Sequence, residues 1–135
     1  MSQHTVPCAA CPWRKTSLPG WLGDSTPLQF IQQAEAEIKM PCHCAVDYNE
    51  ENWQDQIEDA PRCAGHAAYL RNRCKLPNDP KLRAFAAEVG QRSDVFARPD
   101  HFVEHHGGDV SRVTMVLIGI DDASGEKVKK REIAR

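Results

Sequence analysis

The placement of the cysteines constrains this chain more than any other feature. Cys8 and Cys11 are separated by two residues, and Cys42 and Cys63 follow after intervals of thirty and twenty. A Cys-x2-Cys turn presents two thiolates to the same side, and two further cysteines can close a tetrahedral site with metal–sulfur distances of about 2.3 Å. Such a site pins three separated segments together. The set Cys8, Cys11, Cys42 and Cys63 therefore predicts a closed, structural Zn2+ centre. An iron–sulfur cluster is the alternative occupant, since four thiolates suit either. His43 could stand in for Cys42. His66, three residues after Cys63, is a further alternative ligand. Cys44 and Cys74 fall outside this set and are expected to be small buried apolar residues.

A disulfide framework would need an oxidising compartment. Residues 1–16 contain no apolar run and include Cys8, Cys11 and Pro12, so no secretion signal is expected. No stretch approaches eighteen apolar residues, so no membrane span is expected either. Both point to a cytoplasmic protein. The chain has 135 residues, of which 41% are hydrophobic and 7% aromatic. With so little aromatic material, a metal that binds only the folded state would add directly to folding stability. A formal net charge of −2 argues against a chain coated in nucleic acid.

Periodicity predicts mostly helices. Ser25 or Thr26 can cap a helix that has Pro27 at its first position. In that helix Leu28, Ile31, Ala34 and Ile38 share a face, and Pro41 closes it. The stretch Asp47 to Asp59 is acidic and reads as a solvated loop. Asp59 can cap a second helix with Pro61 in its first turn, followed by Ala67, Leu70 and Cys74 on one face. A third helix is predicted from Pro80 to Val89, with Leu82, Phe85, Ala86 and Val89 inward and Gly90 ending it. A short fourth one runs from Pro99 to His106, stopped by Gly107 and Gly108. Val113 to Ile120 reads as a strand. With a turn at Asp121 to Glu126 and alternation from Lys127 to Ile133, it predicts a terminal hairpin.

These readings combine into an α+β protein. Residues 1–108 form a small helix-rich domain around the metal, and residues 109–135 form a C-terminal β-hairpin or tail packed on it.

Three blocks carry a resemblance. Cys8-x2-Cys11-Pro12-Trp13-Arg14, then Pro41-Cys42-His43, then Cys63-Ala64-Gly65 resemble a small cysteine-rich family of phages, prophages and actinobacteria that has no assigned activity. The resemblance covers roughly residues 6–75. It implies Cys8, Cys11, Cys42 and Cys63 as metal ligands with His43 as an accessory, and it implies no reaction. At the position of His66 that family often carries an aromatic residue. In such a site Trp13 is expected to shield the thiolates. Arg14 is expected to offset their charge by donating to sulfur or to a backbone carbonyl.

Two function classes compete. A binding module would contact a host protein or a nucleic acid through Arg62, Arg71, Arg73 and Lys75, and through the tail residues Lys127, Lys129, Lys130 and Arg131. The acidic stretch could instead mimic nucleic-acid charge, and an exposed hairpin edge could pair two copies into a dimer. An enzyme would need chemistry from His101, His105 and His106, which lack a third partner at a persuasive spacing. Histidines at a helix C-terminus are favourable there without catalysis. The sequence thus favours a non-enzymatic binding protein.

Overall fold

The computed structural model describes residues 5–7, 11–20, 22, 25–40, 51 and 62–123. Cys8, Pro41, Cys42, His43, Cys44, Asp59, Pro61, the acidic stretch apart from Glu51, and the tail from residue 124 onward lie outside the described residues.

Helix α1 spans Pro27–Glu35 and starts with a capping box. The Thr26 hydroxyl accepts the Gln29 N–H at 3.1 Å, and the Gln29 side-chain oxygen accepts the Thr26 N–H at 2.9 Å. Leu28, Ile31 and Ala34 are buried along one face, as their spacing requires. The helix stops earlier than expected. Ile38 N–H reaches back to the Gln33 carbonyl and Glu37 N–H to that of Ala34, while Glu37 adopts φ +61°. This is a Schellman ending with glutamate in the left-handed position, which costs about 1–2 kcal/mol. The Glu37 carboxylate offsets that cost by accepting the N–H groups of Asn78 and Asp79 at 3.0 and 2.8 Å. Ile38 falls beyond the helix and is exposed rather than inward.

Helix α2 spans Ala64–Asn72. Its N-cap is Cys63, whose sulfur accepts the His66 N–H, in place of the expected Asp59. It ends at Cys74, which has φ +58° and is exposed, so the expected burial of Cys74 is corrected. Helix α3 spans Pro80–Val89 between an Asp79 cap and Gly90 at φ +74°. Leu82, Phe85 and Ala86 are buried on it as expected, and Ala64 and Ala67 of α2 pack against Phe85 and Ala86. Helix α4 spans Pro99–His105, with Gly107 at φ +82° closing its end.

The expected α+β class and its hairpin are overturned. Val110–Arg112 is a 3₁₀ turn, and Val113–Leu117 is helix α5. Asp109 caps this segment by accepting the Ser111 N–H, and Gly119 at φ +79° ends it. Val113 and Val116 are buried while Met115, Ile118 and Ile120 are exposed. The burial period is therefore three, not two. The β-branched run suggested a strand, but the 3₁₀ turn leading into it, the stop at Gly119 and packing of a Val–x2–Val pair on α1 decide for helix. Among the described residues there is no strand; Arg14 and Val95 form an isolated antiparallel bridge. No described helix is long and apolar enough to cross a membrane.

The irregular segment 11–20 passes through the centre of these helices. Trp13 is fully buried. Its ring lies 5.2 Å from Phe30 of α1, 4.4 Å from Tyr69 of α2 and 4.4 Å from Phe102 of α4, centroid to centroid. One aromatic side chain thus touches three helices at once. Val113, Val116 and Ala123 belong to the same core.

Candidate metal centre

The loop that carries Cys11 is built by turns and held by imidazoles. Arg14 N–H donates to the Cys11 carbonyl at 3.1 Å, and Ser17 N–H to that of Arg14 at 3.0 Å. The bridge to residues 94–96 then fixes the loop's outer edge. There Phe96 N–H donates to the Trp13 carbonyl and Lys15 N–H to that of Asp94. From α4, His106 is fully buried; its Nε2 donates to the Pro12 carbonyl at 3.0 Å, and its Nδ1 accepts the Gly20 N–H at 2.9 Å. Burial drives its pKa down to about 4, so the ring is neutral, as this donor–acceptor pairing demands. His105 Nε2 meets the Ser17 carbonyl at 2.7 Å.

The second sulfur comes from the start of α2. Cys63 N–H donates to the Met40 carbonyl at 2.8 Å, and its sulfur receives the His66 amide at 3.4 Å. The positive end of a nine-residue helix therefore faces that sulfur. Across the helix start, Cys11 Sγ lies 3.7 Å from Cys63 Sγ. Only glycine permits this approach: a Cβ on Gly65 would lie 2.3 Å from the Cys11 sulfur and 2.9 Å from the Trp13 Cβ.

A hydrogen bond joins the two thiols. The hydrogen bond from Cys63 lowers the Cys11 pKa, with amide donors from Trp13 and Arg14 and the Arg14 charge acting in the same direction. The same contact, together with burial, holds Cys63 as the protonated partner. The Arg14 side chain makes polar contacts away from the sulfurs. Its guanidinium pairs with Asp94 at 2.7 Å and donates to the Pro7 carbonyl, next in sequence to Cys8. This realises the carbonyl half of the expected role. Arg92 first, then Arg14, holds the Asp94 carboxyl below its ordinary range.

The sulfur pair passes a simple test of fit to a metal. Tetrahedral ligands at about 2.3 Å from one ion lie about 3.8 Å from each other. The observed 3.7 Å matches that edge and is far from a bonded disulfide. Of the expected ligands, Cys11 and Cys63 are brought together; Cys8, Cys42 and His43 lie outside the described residues. Among the described residues no three His, Cys, Asp or Glu side chains converge. His66 is committed elsewhere through Nε2, which meets the Ala34 carbonyl at 3.1 Å, and burial lowers its pKa to about 4.

Three of the four basic residues expected on a binding surface, Arg62, Arg73 and Lys75, are ion-paired. Arg73 and Lys75 both converge on Glu35, whose Oε2 also accepts the Tyr69 hydroxyl at 3.1 Å. Arg62 lies 3.4 Å from Asp79. Arg71 is half-buried on α2, and its Nε has no hydrogen-bond partner among the described residues. The histidines do not form a trio: His101 is exposed, while His105 and His106 face the N-terminal loop. Sequence reasoning missed three structural residues, namely Gly65, Glu35 and His106. Only Gly65 carried a signal, its fixed place two residues after Cys63.

No family model, curated protein or solved structure matches this chain.

Proposed function

We propose that this chain is a metal-stapled helical binding protein. In this reading a structural Zn2+ is held by Cys11 and Cys63 together with Cys8 and Cys42. The observation that carries it is the 3.7 Å sulfur–sulfur contact at the start of α2, made possible by Gly65. Chain geometry supports the other two ligands. Met40 is hydrogen-bonded to Cys63, and Cys42 follows it by two residues, a reach of about 7 Å at most. Pro7 is tethered to Arg14, and Cys8 is the next residue. When bound, the ion would neutralise thiolate charge and tie the N-terminal loop to α2, so its binding energy becomes folding energy.

The role of the stapled fold is to bind a protein rather than a nucleic acid. Support comes from the net charge of −2 and from the engagement of Arg62, Arg73 and Lys75 by Asp79 and Glu35. Phosphate binding draws on cations free to neutralise phosphates and displace the counterions condensed on the nucleic acid. The histidine geometry supports structure over catalysis, since His105 and His106 are spent on backbone groups of the N-terminal loop.

Cobalt substitution tests the centre. Co2+ added to metal-free protein under nitrogen should give thiolate-to-cobalt charge-transfer absorption and the intense visible bands of a tetrahedral ion. Cys11→Ser or Cys63→Ser should each abolish the tetrahedral spectrum. Octahedral, weakly coloured cobalt in the unaltered protein would defeat the assignment. Retention on a DNA column that falls steeply with salt would defeat the choice of a protein partner.

A further inference from the structure

Resting on the metal centre proposed above, we infer that Cys11 and Cys63 are also a disulfide-forming pair. Oxidation of the metal-free protein replaces the metal staple with a Cys11–Cys63 bond. The sulfurs are in contact at 3.7 Å, and a bonded pair needs about 2.05 Å, so a movement of about 1.7 Å closes it. The pair spans 52 residues of sequence and joins the same two segments that the metal would join. Both partners are anchored through their backbones: Cys11 by the turn to Arg14, Cys63 by the Met40 carbonyl. The Cys11 sulfur reaches this position because Gly65 carries no Cβ, which would overlap it.

The reaction needs a two-electron oxidant, here a peroxide. One thiolate attacks the peroxide oxygen, forming an S–O bond and expelling hydroxide, which leaves a sulfenic acid. The second cysteine sulfur then attacks that sulfur, forming the S–S bond. Its proton and the departing hydroxyl leave as water. Two cysteines are oxidised, one peroxide is reduced, and two hydrogens leave the protein. Cys11 is 1% and Cys63 6% exposed, so the closed fold slows attack, and a bound metal slows it further by holding both sulfurs.

The test uses the full chain, stripped of metal by chelation under nitrogen and then treated with hydrogen peroxide. Free thiols are alkylated and the peptides mapped. The expected result is the loss of two hydrogens with the Cys11 and Cys63 peptides linked. Cys74→Ser, which removes the exposed thiol, should leave that link intact. Linkage of Cys11 to any other cysteine, or full alkylation of both Cys11 and Cys63, would overturn the inference. The two readings fail separately. If the protein binds zinc but forms no Cys11–Cys63 link, the disulfide inference falls. If the link forms at one rate with and without added zinc and no zinc is retained, the metal reading falls and the disulfide pair stands.

Discussion

The sulfur of Cys11 occupies the place where a side chain at Gly65 would begin, 2.3 Å from the position of its Cβ. The spacing of the helix start from the N-terminal loop is thereby set by one missing methyl group. Gly65→Ala should force Cys11 and Trp13 away from α2. Overpacking of this kind costs about 1–3 kcal/mol, and here the second clash is with the Cβ of a fully buried tryptophan. Urea denaturation should show a lower midpoint and weaker cobalt binding in the same variant. An unchanged midpoint would mean that α2 does not approach the loop this closely.

The acid side of the stability profile should report His106. Its folded pKa of about 4 lies below the unfolded value of about 6.5. Between those values the unfolded chain binds more protons, so stability falls as pH drops from about 6.5 to about 4 and is fully present above that window. The shift corresponds to about 3 kcal/mol as an order of magnitude. His66, equally depressed by burial, adds to the same window. His106→Gln removes one titration, so denaturation across a pH series should show a shallower acid slope on a lower plateau. An unaltered slope would contradict the neutral, buried imidazole.

Glu35 collects three partners, Tyr69, Arg73 and Lys75, and its side chain is only 13% exposed. Replacing the carboxylate by an amide removes its charge and one of its two acceptor oxygens, a loss of about 1–3 kcal/mol. Glu35→Gln should therefore destabilise the fold and, by releasing Arg73 and Lys75, lengthen retention on heparin. Retention equal to that of the unaltered protein would show that those cations were already free.

The status of residues 113–117 separates helix from strand directly. Gly119 sits at φ +79°, a conformation that costs a residue with a side chain about 1 kcal/mol or more. Gly119→Ala should lose that amount, and Val116→Ala more through the cavity it leaves. Ile118→Lys, on the exposed face, should stay within about 0.5 kcal/mol. A large loss at Ile118 with none at Val116 would favour a different burial pattern.

These residues also show what could be read beforehand. Helices α1, α3 and α4 were legible because caps and prolines mark their starts and apolar positions recur at helical spacing. Ile38 was misplaced because a glutamate, not a glycine, takes the left-handed position at Glu37, and only the Asn78 and Asp79 amides explain it. Val113 to Ile120 was misread because β-branched residues favour strands locally, while packing on α1 and the stop at Gly119 outweigh that preference. Cys11 and Cys63 were legible as partners from chemistry. The contact at Gly65 was marked only by its place two residues after Cys63, which does not say which side chains fill the space beside it. His106 looked like a helix-end cation and proved to be a neutral strut, since its burial depends on a segment more than eighty residues away.

The central claim is that one metal ion closes this fold. Elemental analysis of protein purified under nitrogen without added metal tests it most directly, alongside the visible spectrum. The account predicts about one zinc per chain, colourless protein, and a lower denaturation midpoint when a chelator removes the ion. A well-folded chain with no bound metal would contradict it, as would iron with sulfide and a brown colour.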